Sequence, residues 1–177
     1  MQEGLVIPEN ENYRMVEEPT NLEIPYHFLH DKVRQAIYTL PSEEDRLIFH
    51  HKLGNILLEN TPPEKLEEKV FEIVYQFNLS APLIVSPSEK MQLIELNIIA
   101  AKKAKASSAF KAAANYFKMA YLQLPSNAWN EHYNLTFDLT QELSSCLYIV
   151  GEHEEAEAII RENLSHAKTV LEKAEII

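Results

Sequence analysis

From Leu29 onward the apolar residues recur at helical spacing. Val33, Ala36, Ile37 and Leu40 stand at i, i+3, i+4 and i+7, one stripe that Pro41 ends. Ser42 opens a second predicted helix with Glu43, Glu44 and Asp45 in its first turn, where the macrodipole favours acids. Phe49, Leu53, Ile56 and Leu57 make its apolar stripe, and Gly54, which costs about 1 kcal/mol relative to alanine in mid-helix, marks a close approach by a neighbouring helix. Thr61-Pro62-Pro63-Glu64 reads as a third start, with threonine as N-cap and proline at the first helical position. Leu66, Val70, Ile73, Val74 and Phe77 are its buried face, and NLSAPLIV is a connector. Ser86-Pro87-Ser88-Glu89 repeats the start signal as a capping box. The fourth helix is predicted to run to about Ala106, the fifth from Ser107 or Ser108 to Leu124, the sixth from Ser126 to about Val150, and the seventh from Glu152 to near the end.

Residues 1–28 have a different pattern. GLVIP and LEIPYHF read as two short extended runs around a polar connection, because Pro8, Pro19 and Pro25 forbid a continuous helix. A hairpin of this size is marginal alone in water, so it needs a packing partner, either the helices or a further domain.

The pattern therefore predicts an all-α chain of about seven helices, stacked as antiparallel hairpins over residues 29–177, after a short β-hairpin-like segment at 1–28. In the fifth helix Ala113, Phe117 and Ala120 precede Pro125, and Ala156 and Ile160 follow Gly151. Small, large and small residues at this spacing, closed by a proline, match the second helix of a tetratricopeptide repeat, where small residues let paired helices approach. Ala101 takes the small position of the preceding helix, but Asn97 stands where that family prefers tryptophan. The stretch from Ala113 to Ala156 also exceeds the usual period of about 34 residues. The array is expected to be degenerate, with Leu53, Gly54, Ala101, Ala113, Phe117, Ala120, Pro125, Gly151 and Ala156 as its packing positions.

Composition narrows the function. Three glycines argue against sheets and phosphate-cradling loops, and a formal charge of −11 opposes binding to nucleic acid or anionic lipid. Lys102, Lys103 and Lys105 read as a solvated face rather than a basic patch. No basic n-region or long apolar run occurs, so the expected location is cytoplasmic, without membrane contact. Cys146, the one cysteine, reads as a small core residue, and the sequons at Asn78, Asn134 and Asn163 are expected to be inert.

No catalytic, cofactor or metal site emerges. Gly4, Gly54 and Gly151 are isolated, so neither phosphate-binding glycine motif can be written. His50 and His51 diverge by about 100° on a helix and cannot chelate together, and His153 and His166 have the acidic neighbours of a solvated helix. YHFLHDKVRQAIYTL poses a sharper question, because LHD-x-V-x-Q resembles the phospho-accepting helix of sensor histidine kinases. There the histidine lies well inside a long helix. Here NLEIPYHF precedes it as an extended segment, so His30 falls at a helix start and Asp31 in the first turn.

The series GLVIP through YHFLHDKVRQAIYTLPSEEDR, HHKLGNILLENTPPEKLEEKVFEIVYQFNL, ELNIIAAKKAKASSAFKAAANYFKMAYLQLP and GEHEEAEAIIRENLSHAKTVLEKAEI resembles a region of large bacterial STAND-type signalling proteins. These join a serine/threonine kinase-like domain, an AAA-type ATPase, a helical repeat region, a GAF domain and a sensor histidine kinase. The resemblance implies that residues 1–28 are the remnant of a winged-helix module, with Phe28, His30, Asp31, Val33, Ala36 and Tyr38 as its structural signature. Tyr75-Gln76 departs from the histidine expected in the family's third helix. No catalytic residue of the ATPase or of either kinase falls in this chain.

The expected function is a non-enzymatic scaffold that couples an ATPase module to a C-terminal output, with neighbouring domains of the same polypeptide or a protein or peptide as partners. A free-standing peptide-binding adaptor beginning at Met1 is the alternative. Phosphotransfer at His30 is a third.

Overall fold

Alanine-rich and leucine-rich stretches without internal proline, between punctuating Pro, Gly and Ser residues, fold as helices joined by tight turns. The computed structural model describes residues 6–8, 26–28 and 41–176, with side chains from 41 to 174. The chain divides into two compact units, Met1–Arg46 and Leu47–Ile177. In the first, β1 (Val6–Pro8) pairs antiparallel with β2 (Tyr26–Phe28), with Val6 opposite Phe28 and Pro8 opposite Tyr26. The predicted helix at 29–40 lies outside the described residues.

Apart from that strand pair the described residues are helical. The helices are α1 (Glu43–Glu59), α2 (Leu66–Leu79), α3 (Pro87–Ala106), α4 (Phe110–Leu122), α5 (Ala128–Glu131), α6 (Tyr133–Val150), α7 (His153–His166) and α8 (Val170–Ile176). Packing follows chain order: α2 on α3, α3 on α4, α4 on α6, α6 on α7 and α7 on α8. The core accordingly forms two clusters. One joins Val70, Ile73, Val74 and Phe77 of α2 to Leu93, Leu96 and Ala100 of α3. The other joins Ile94, Ala101 and Ala104 of α3 to Ala113, Phe117 and Ala120 of α4, Leu139, Leu143 and Cys146 of α6, and Ala156 and Ile159 of α7.

A period that residue identities conceal is visible in burial. The buried residues Leu93, Ile94, Leu96, Asn97, Ala100, Ala101 and Ala104 of α3 are each followed 43 residues later by a buried residue of α6: Thr136, Phe137, Leu139, Thr140, Leu143, Ser144 and Leu147. The turns repeat as well, since Ala109 N–H donates to Ala104 O at 2.9 Å and Glu152 N–H to Leu147 O at 2.9 Å. Ser108 (φ 59°) and Gly151 (φ 89°) hold the left-handed position of those turns. Glycine takes it freely, whereas serine is strained there. One period earlier, His50 and Gly54 of α1 precede Leu93 and Asn97, and Val70, Val74 and Phe77 of α2 precede Ala113, Phe117 and Ala120; all of these are buried. Three hairpins, α1/α2, α3/α4 and α6/α7, thus share one burial pattern.

Several local expectations are corrected. In α1 Phe49 and Ile56 are 60% and 55% exposed, and the buried positions are His50 and Gly54, with Leu53 and Leu57 half-buried. Ser42 does cap α1: Asp45 N–H donates to Ser42 Oγ at 3.1 Å. Thr61 instead closes it, its hydroxyl donating to Leu57 O at 2.6 Å, and a 3-10 turn at Pro63–Lys65 leads into α2. Ser86 makes no side-chain cap on α3; its hydroxyl pairs with Ser88 Oγ at 2.8 Å, so the capping box does not form. The fifth predicted helix starts at Phe110, because the left-handed Ser108 breaks the chain first. The sixth is interrupted at His132 (φ −130°), separating α5 from α6, and the seventh stops at Ala167 (ψ 125°) before α8. A capping box that sequence reading missed opens α8: Thr169 N–H donates to Glu172 Oε2 at 2.9 Å and Glu172 N–H to Thr169 Oγ1 at 3.1 Å.

Candidate interaction surface

The residues expected to pack the array differ in burial. Ala101, Ala113, Ala120 and Ala156 are fully buried and Phe117 nearly so, in one cluster. Gly54 is buried against Phe77, Leu53 is half-buried, and Pro125 and Gly151 are exposed at turns. Of the resemblance's signature residues, Phe28 ends β2, and His30, Asp31, Val33, Ala36 and Tyr38 lie outside the described residues.

Polar side chains join the helices at fixed points. The amides of Asn78 and Asn97 exchange two hydrogen bonds of 2.9 Å, and Asn97 Nδ2 also donates to Leu93 O at 2.9 Å. Asn97, at the position where the tetratricopeptide pattern prefers tryptophan, is therefore a buried crosslink between α2 and α3. Gln76, which stands at the departure from the resembled family, accepts from His50 Nδ1 at 2.7 Å, and His51 Nε2 lies 3.9 Å from Glu89. The adjacent histidines thus serve different helices.

The lysine cluster is only partly a solvated face. Lys103 Nζ donates to Glu67 O and to Glu68 O, at 3.1 Å for the latter, and stands 5.1 Å from the Phe71 ring centre. Lys105 pairs with Glu142 at 2.5 Å across α3 and α6, and Lys102 stays exposed. Burial raises the Cys146 thiol; Lys105 lowers it in part and Glu142 raises it further. A fully buried, raised thiol is a packing group, not a nucleophile. Among the described residues no group of three or more His, Cys, Asp or Glu side chains could hold a metal ion.

A second junction fastens the last hairpin. Glu162 of α7 accepts from Tyr121 Oη at 2.6 Å and from Trp129 Nε1 at 2.9 Å. The Trp129 ring stacks on His166 at 4.3 Å with planes 9° apart, so His166 is more than a solvated side chain. Burial, with the Glu162 hydrogen bond and charge, pushes the Tyr121 hydroxyl up to about 12. The sequons fall into this framework: Asn78 is paired, Asn163 is fully buried, and Asn134 is exposed. Neither amide atom of Asn163 has a partner among the described residues.

Between α3 and α6 runs a groove of about 200 Å³. Phe117, Ile98, Leu135 and Leu139 line it with apolar surface, and Lys102 and Asp138 stand on opposite walls. Such a surface can hold a peptide side chain.

No helix among the described residues is long and apolar enough to cross a membrane. No family model matches the chain, and no solved structure matches it. Among curated proteins it is 30% identical over 173 residues to "Hybrid signal transduction histidine kinase G" of Dictyostelium discoideum, a relative that is not bacterial. The match takes in 84% of this chain and 5% of that protein, so the chain spans a small part of its relative's length. The similarity relates this chain to a region of a signal-transduction kinase.

Proposed function

We propose that this chain is a non-catalytic, tetratricopeptide-like scaffold segment of a multidomain signalling ATPase or kinase, coupling an ATPase module to a C-terminal output. The observation that carries the reading is the 43-residue burial period shared by α3 and α6, together with packing in chain order. Hairpins that touch only their neighbours transmit strain along the stack and change curvature by small shifts at each interface. The likeness to part of a signal-transduction histidine kinase supports a place inside such a protein. Its partners are neighbouring domains or a peptide, and the winged-helix origin of residues 1–28 belongs to the same proposal.

The test is autophosphorylation of the full-length kinase that carries this segment, with and without Lys105→Glu, which sets two acids against each other between α3 and α6. The proposal expects altered kinase output with unchanged ATP binding. Unaltered output in a folded variant contradicts it. The relative's name also keeps phosphotransfer at His30 as a second reading. That reading requires phosphate incorporation from a cognate kinase into wild type but not into His30→Gln; equal labelling, or none, ends it.

A further inference from the structure

Each later hairpin receives its neighbour in the same way. The opening helix lays Leu96 and Ala100 of α3, or Leu139 and Leu143 of α6, against the closing helix of the hairpin before it, α2 or α4. Two further contacts complete the second of these junctions. Phe117 of α4 and Leu135 of α6 line one groove, and Lys105 of α3 forms an ion pair with Glu142 of α6.

The 43-residue period carries these positions to both ends of the stack. At the first end, Leu53 and Leu57 of α1 stand one period before Leu96 and Ala100, and both are only half-buried. Phe49 and Ile56 stand two periods before Leu135 and Glu142, and they are 60% and 55% exposed. At the other end, Ile160 of α7 stands one period after Phe117, and Tyr148 of α6 one period after Lys105. Ile160 is half-buried where Phe117 is 1% exposed, and Tyr148 is 62% exposed. The two places that hold an ion pair inside the stack therefore hold isoleucine at one end and tyrosine at the other. Each end presents the apolar half of a junction that the interior completes.

We infer that these ends are complementary, so that a second copy of this chain stacks head to tail on the first, its α1 packing on α7 as α6 packs on α4. Ile160 would meet Phe49 of the second copy, and Tyr148 would meet Ile56. The ion pair of Lys118 with Glu155, carried one period on, sets Arg161 beside Lys69 of the second copy. Glu157, 3.5 Å from Arg161, offsets that like-charge contact. A head-to-tail contact leaves one face of each kind free, so association continues past two copies. The inference rests on the scaffold reading, but its readout is mass rather than kinase output, so either can fail alone.

The test is sedimentation velocity of the 177-residue chain from about 1 μM to about 1 mM, in about 0.15 M salt to screen the charge of −11 on each copy. The weight-average mass is expected to rise with concentration past that of a dimer. Ile56→Asp and Tyr148→Asp, at exposed sites on opposite ends, should each remain monomeric, and an equimolar mixture of the two should form a dimer and nothing larger. Thermal melts verify that both variants fold, and Phe49→Asp replaces Ile56→Asp if that variant does not. Contacts within a single stack are read in the monomeric Ile56→Asp chain. A wild-type chain that stays monomeric, an association that stops at two copies, a folded single variant that still associates, or a mixture that stays monomeric overturns the inference.

Discussion

Gly54 lies face to face with Phe77: a Cβ on Gly54 would stand 3.1 to 3.2 Å from three carbons of the ring. Phe77 is only 4% exposed, so the ring has nowhere to retreat. The contact is why α1 tolerates a glycine that lowers its helix propensity. Gly54→Leu is therefore expected to destabilise by about 1–3 kcal/mol through overpacking. Gly54→Ala combined with Phe77→Leu should fall short of the summed single costs, and urea melts of the cycle measure that coupling.

The repeat predicts paired responses. Ala113 and Ala156, 43 residues apart, are both fully buried in the same cluster. Leucine at either is expected to cost about 1–3 kcal/mol, seen as a lower Tm in calorimetry. Unchanged melting in both variants contradicts close hairpin packing.

Asn78 and Asn97 stabilise one another, and each leaves the other unsatisfied when removed. Asn97→Ala is expected to cost about 1–3 kcal/mol, with the Asn78→Ala/Asn97→Ala double variant well short of additive. Asn163 is the converse case, a fully buried amide whose atoms find no hydrogen-bond partner among the described residues. Asn163→Leu, which keeps the branched side-chain skeleton without its polar atoms, should raise Tm, because it removes an uncompensated desolvation penalty.

Alkaline pH should loosen the last hairpin. The Tyr121 hydroxyl is raised from 10.0 to about 12 by burial first and then by Glu162, so the folded state favours its protonated form. Its contribution is complete below pH 10 and is lost as the pH rises through about 12. Stability measured across that window should fall less steeply in Tyr121→Phe than in wild type.

The sequence made much of this architecture legible, and its omissions have physical causes. Helix faces in α2 and α4 followed from spacing, since Val70, Val74, Ala113, Phe117 and Ala120 are apolar and buried. The period did not, because burial recurs with little identity: Ala100 answers to Leu143, Ala104 to Leu147 and Asn97 to Thr140. Sizes also change from hairpin to hairpin, the positions of Gly54 and Phe77 recurring as Asn97 and Ala120 and then as Thr140 and Asn163, and pattern matching to one residue type misses that. In α1 the stripe misled, because the buried positions are a histidine and a glycine. Thr169 and Glu172 did carry a legible capping signal, overlooked inside a helix assumed to run on past Ala167. The Glu162 junction gave no local signal, since Tyr121 and Trp129 lie 41 and 33 residues from it.

The central claim is that each hairpin packs on its chain neighbours and on little else. Methyl and aromatic NOEs across the whole chain test it directly. The account predicts contacts between Phe71 and Tyr116 and among Phe117, Leu139 and Ile159, with none linking Val70 or Val74 of α2 to Leu143 or Ile159. NOEs joining those first and last hairpins, as a closed bundle would give, would contradict it.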